Sequence, residues 1–194
     1  AGFAILNKFS LADSLVVLAA ASVGQFVRGR LNRRWLNQFG VAALASAAAC
    51  LVYLMLADLL TNTGLHTIHG PGYVASLLFL VPGFPMITSI LDMVRMDFTA
   101  GLSRAAYSFG LILAATMSAW MFSAATGLQP LPAQTVFPYP WAWLAYAVAT
   151  ACGVAGFAVI FNSPPRTVAW AAALGACGNL CRLALVGVNL PAQL

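Results

Sequence analysis

The sequence predicts an all-α, polytopic transmembrane helical bundle, and three observations carry that reading. Of the 194 residues, 62% are hydrophobic and 7% are charged, against about 25% charged in a soluble domain. Apolar runs of about twenty residues recur, the length a helix needs to cross a bilayer, without the strict alternation of a membrane barrel. Most basic residues gather in short connecting segments that fall on one side if the runs simply alternate.

Taken in order, residues 1–6 are apolar and read as the tail of a span whose body is missing. A first full span covers residues 11–27 and ends in the densest charge of the chain, Arg28, Arg30, Arg33 and Arg34. A second covers 41–60, followed by a loop with His66 and His69 but no Lys or Arg. A third apolar run covers 73–94 and is interrupted by Val81-Pro-Gly-Phe-Pro85. Two prolines and a glycine in five residues argue against a continuous helix, since each proline removes a backbone donor and crowds the preceding turn. A fourth span covers 102–126. An uncharged, proline-rich loop follows over 127–140, then a fifth span over 141–161 opened by Trp141 and Trp143, an interfacial aromatic pair. Asn162-Ser-Pro-Pro-Arg166 is a tight turn into a sixth span over 167–188. The arginine side is placed in the cytoplasm, with Lys8 the exception.

Cys50, Cys152, Cys177 and Cys181 lie in apolar segments, form no CxxC pair and read as small buried hydrophobes. His66 and His69 are too few for a metal site. The spans hold no Ser/His/Asp set, HExxH or Gly-rich phosphate loop, so neither an enzyme nor a cofactor or metal is expected. The formal charge of +5 is topological and implies no nucleic acid.

Slid along itself by 154 residues, the chain repeats. Ala1-Gly-Phe-Ala recurs as Ala155-Gly-Phe-Ala, Gly24 meets Gly178, Gln25 meets Asn179 and Arg28 meets Arg182. Five spans separate the copies, so the second enters the membrane the other way up, as in inverted-repeat transporters. The expected organisation is therefore a first repeat over 1–126 lacking most of its first helix, an extracytoplasmic linker over 127–140, and the start of a second, inverted repeat over 141–194. The whole would be a transporter of about ten spans, with a second helix break near position 235.

Leu80-Val-Pro-Gly-Phe-Pro-Met-Ile-Thr-Ser-Ile-Leu-Asp92, then Asp97 and Gly101-Leu-Ser-Arg104, resembles the signature of the threonine/serine exporter family. Phe161-Asn-Ser-Pro-Pro-Arg166 resembles the opening of that family's second module. The resemblance implies a multi-pass protein of the bacterial inner membrane. Its implied partners are the lipid bilayer, protons, a small-molecule amino acid, and further portions of the same transporter or a second subunit. The implied function is proton-coupled export of threonine and serine. The alternatives are export of a small dicarboxylate such as succinate, or a non-transporting structural subunit.

The candidate residues follow from that pattern. Pro82, Gly83 and Pro85 would expose backbone donors and acceptors to the substrate at a discontinuous helix. Thr88 and Ser89 would hydrogen-bond a hydroxylated amino acid. Asp92 would carry a coupled proton or meet a substrate ammonium. Asp97 and Arg104 would be structural or gating. Arg182 sits in an apolar span and calls for a partner, with Asp13 and Asp58 on its side of the membrane.

Overall fold

The computed structural model describes residues 2–7, 9–34, 36–63, 72–127 and 141–187, and all its regular elements there are helical. The chain divides into two compact units.

The larger unit takes in most of α2 (Leu11–Asn32), α3 (Gln38–Asn62), α4 (Gly72–Ser76), α5 (Gly83–Val94) and α6 (Phe98–Thr126). Three of these starts have a side-chain cap. Ser10 Oγ accepts from the Asp13 N–H at 3.1 Å and donates to Asp13 Oδ2 at 2.8 Å, a reciprocal cap at the head of α2. Asn37 accepts from the Phe39 N–H before α3, and Asp97 from the Ala100 N–H before α6. Helix α6 ends at Gly127, whose φ of 70° suits a residue without a Cβ. The α3–α6 seam is built from small residues, with Ala42, Ala45 and Ala49 meeting Leu111 and Ala115. Small residues let the backbones approach closely enough for side chains to bridge them. Ser46 donates to the Ala115 carbonyl and Ser118 to the Ala43 carbonyl, both at 2.9 Å. Phe79 and Leu80 complete this core.

The smaller unit holds α1 (Gly2–Leu6), the beginning of α2, α7 (Trp141–Ile160) and α8 (Pro165–Gly187). Helix α1 lies so close to α7 that a Cβ on Gly2 would collide with the Ala149 carbonyl. Helices α7 and α8 pair through Gly175, which leaves room for Val154, and through Asn179 Nδ2, which donates to Thr150 Oγ1 at 2.8 Å.

The helices fall where the apolar runs place them. Among the described residues, α3, α6, α7 and α8 are long and apolar enough to cross a membrane. The bent pair of α4, with the turn after it, and α5 makes a fifth if counted as one span. Helix α2 forms over the expected first span and carries Asp13, Gln25, Arg28 and Arg30. Asp13 is 3% exposed. Of the cysteines only Cys50 is buried; Cys152, Cys177 and Cys181 are exposed. The 127–140 linker and both histidines lie wholly or almost wholly outside the described residues.

Candidate functional site: a broken helix and its closures

The break falls where the prolines predict it. Helix α4 passes through a 3-10 turn, Leu78–Leu80, the chain extends at Val81, and α5 restarts at Gly83 after a 57° bend. Pro82 has φ −81° and ψ 63°, the centre of an inverse γ-turn, and the Gly83 N–H donates to the Val81 carbonyl at 2.9 Å.

The same proline creates a second demand. A 3-10 turn would pair the Phe79 carbonyl with the N–H of residue 82, and proline has none. The Gly83 N–H, the α-helical alternative, is taken by Val81. The Phe79 carbonyl is satisfied from outside the segment: Arg28 Nη1 donates to it at 2.9 Å from α2. The ring of Phe79 fills the notch at Gly24, one turn earlier, where a Cβ would come within 2.6 Å of it. The break is thus closed by a neighbouring helix, the condition under which irregular backbone survives at membrane depth.

The far end of α5 is closed by charge. The chain reverses at Arg95–Asp97 with Met96 at φ 66°, and the Asp97 N–H donates to the Asp92 carbonyl at 2.9 Å. This turns α6 back along α5. Arg104 Nη1 then lies 2.7 Å from Asp92 Oδ2. Between these ends Ser89, 3% exposed, donates to the Gly101 carbonyl at 2.8 Å, and Gly101 lets the two helices approach.

The expected residues take different parts. Pro82 and Gly83 shape the break, and Pro85 lies in the first turn of α5. Thr88 donates to the Phe84 and Pro85 carbonyls of its own helix. The Ser89 hydroxyl is spent on α6. Asp92 pairs with Arg104 rather than with its sequence neighbour Arg95, and Asp97 caps α6 through Ala100 and Thr99. Arg182 belongs to the other unit, where its Nε lies 3.4 Å from Asn179 Oδ1.

Two residues in the larger unit escape a reading by motif. Arg28 reads as a topology anchor, yet it reaches the break 51 residues away. Gln25, one turn before it, holds Oε1 shielded from solvent with no hydrogen bond among the described residues. The signal for both was the repeat, which pairs Gln25 with Asn179 and Arg28 with Arg182.

A cavity of about 140 Å³ lies beside the break, lined by Val74, Leu77, Leu80 and Val81 and by Ile112, Ala115 and Thr116 of α6, among others. It carries no charged group, and the Thr116 hydroxyl is turned onto its own helix. A zwitterion would find no partner there. No three described His, Cys, Asp or Glu side chains cluster as a metal site.

Comparison with known proteins supplies the family. Residues 1–126 match the ThrE family, described as "Putative threonine/serine exporter". Two curated relatives are both named "Probable succinate transporter subunit YjjP". The protein of Escherichia coli strain K12 is 30% identical over 127 residues, and that of Klebsiella aerogenes is 32% identical over 128. Each alignment covers 66% of this chain and 48% of the relative, so the match spans about half the length of those proteins. No solved structure matches the chain. With several helices apolar enough to cross a membrane, a broken helix closed by Arg28, and a family match over most of its length, this chain is a multi-pass protein of the bacterial inner membrane and belongs to the ThrE family of transporters.

Proposed function

We propose that the chain forms part of a secondary transporter that exports small polar amino acids, threonine and serine, coupled to the proton gradient. The observation that carries this reading is the bent pair α4–α5, a discontinuous helix ending in a carboxylate–guanidinium pair. The first turn of α5, at Gly83–Pro85, presents the positive end of a helix dipole, which suits a substrate carboxylate. Pro82 sets its direction. Thr88 is the next hydroxyl along α5, and Ser89 holds α5 against α6. Asp92 is the acidic group that meets either the substrate ammonium or the coupled proton. Protonation or ammonium binding would release Arg104, which makes the pair a gate, with Asp97 fixing the turn that brings it together. Gln25 adds an acceptor one turn from the arginine that closes the break.

A second reading, export of a small dicarboxylate, is favoured by the printed names of the two relatives. The two substrates share one carboxylate and differ at the other end, ammonium against a second carboxylate. Proteoliposomes containing the complete transporter assembly, loaded with labelled threonine or succinate, separate them when an inward proton gradient is imposed. Threonine efflux supports the first reading. Succinate efflux alone replaces it, and efflux of neither removes the transport assignment.

A further inference from the structure

The 154-residue repeat extends from residue types to hydrogen bonds. The Asn7 N–H donates to the Phe3 carbonyl at 3.1 Å, and the Phe161 N–H to the Phe157 carbonyl at 3.0 Å. Phe9 donates to Ala4 at 3.1 Å, and Ser163 to Ala158 at 3.0 Å. Ser14 donates to Ser10 at 2.9 Å, and Val168 to Pro164 at 3.0 Å. Helix α2 starts at Leu11 and α8 at Pro165, again the same offset. Such helix closures are common singly. Here they coincide in register with the shared Gly-Phe-Ala, the paired glycines, the paired amides and the paired arginines. The α1–α2 and α7–α8 hairpins are two copies of one device.

The copies differ in what covers them. Along α2, the stripe Val16, Ala20, Gly24 and Arg28 is closed over: Val16 is 5% exposed, Ala20 is fully buried, Gly24 is filled by Phe79 and Ala49, and Arg28 holds the Phe79 carbonyl. The equivalent stripe on α8 is bare. Trp170 and Leu174 are 71% and 70% exposed, nothing among the described residues lies within 4 Å of a Cβ at Gly178, and Arg182 is exposed. In α2 the glycine and the arginine serve one purpose, to seat the ring and donate to the freed carbonyl of a proline-broken helix.

We propose that the α8 stripe Trp170–Leu174–Gly178–Arg182 is the docking face for a second transmembrane module built like α3–α6, with its own broken helix. The Gly178 notch receives a side chain of that break, and Arg182 donates to the carbonyl its proline leaves unpaired. A second copy of this chain does not suit the role. Its break is already closed by its own Arg28, and its Phe79 already fills its own Gly24. The proposal stands on the repeat and is independent of which substrate is carried.

The test is photo-crosslinking in native membranes, with the full-length protein carrying p-benzoylphenylalanine in place of Leu174 and the cross-linked peptide identified by mass spectrometry. The expected product is a transmembrane peptide with a proline–glycine break lying outside residues 1–187. Gly178→Leu and Arg182→Ala should each lower its yield at least tenfold, while Arg182→Lys retains most of it. Because no described residue outside its own helix turn lies within 4 Å of a Cβ at Gly178, the leucine should leave the α7–α8 hairpin intact. Three outcomes overturn the proposal: adducts with lipid only, adducts with residues 1–187 of a second copy, or a yield indifferent to both substitutions.

Discussion

The guanidinium of Arg28 donates to the carbonyl of Phe79 at 2.9 Å, across 51 residues of chain, and so completes a helix that Pro82 interrupts. The two residues form one structural unit, a donor on one helix matched to an acceptor freed on another.

Arg28→Ala should therefore lower stability by about 1.5–3 kcal/mol, the worth of a hydrogen bond to a charged donor. Thermal unfolding of the purified protein in detergent checks it. Arg28→Lys should recover part of the loss, since an ammonium can reach the carbonyl but lacks the planar fork. An unchanged midpoint in Arg28→Ala would show the bond to be dispensable.

The coupling between Arg28 and Pro82 is separately measurable. Pro82→Ala restores an N–H three residues after Phe79 and gives the carbonyl an alternative donor. In that background Arg28→Ala should cost at least about 0.5 kcal/mol less than in the native sequence, the size of coupling seen between residues of one network. Additive effects would mean that the proline and the arginine act apart.

At the other end of α5, Asp92→Asn and Arg104→Gln should leave the unfolding midpoint almost unmoved. The Arg104 side chain is 51% exposed, and exposed pairs contribute about 0–1 kcal/mol. Transport should respond far more strongly, falling at least about tenfold, which corresponds to about 1.4 kcal/mol of barrier. The exchange Asp92→Arg with Arg104→Asp should likewise leave the midpoint almost unmoved and should not restore proton-driven efflux. Equal losses of stability and transport in the single variants would reduce the pair to scaffolding.

Gly101→Ala should be among the most damaging single-methyl additions in the larger unit. Its Cβ would come within 2.7 Å of Met93 Cγ and 3.0 Å of the Ser89 carbonyl, and overpacking of this kind costs about 1–3 kcal/mol. Gly40→Ala, with nothing within 4 Å, is the matched control and should be neutral or slightly stabilising. Unfolding midpoints of the two variants decide the point.

What the residues disclosed on their own follows their physical range. Pro82 and Pro85 act on the adjacent backbone, so the break at 81–82 was legible. Asp97 lies before the expected fourth span, and its side chain caps α6, which starts earlier than that span. The pairing of Asp92 was not legible, because Arg95 is nearer in sequence. Only the reversal at Met96, a non-glycine residue at φ 66°, carries the chain back so that Arg104 arrives first. Arg28 was hidden for a similar reason: a cluster of arginines at a helix end satisfies the topology rule so well that nothing local asks what one of them touches.

The γ-turn at Pro82 has a mechanical consequence. Two half-helices joined by an unbroken ladder bend only by straining several bonds at once. Here the joint between α4–Leu80 and α5 is spanned by the short Gly83–Val81 bond and the turn before it, while each half keeps its own ladder. Its compliance is concentrated at one residue, stiff to stretching because proline fixes φ and soft to changes of ψ. Arg28 then acts as the strut that sets the rest angle, so whatever draws that strut away also chooses how far the joint swings.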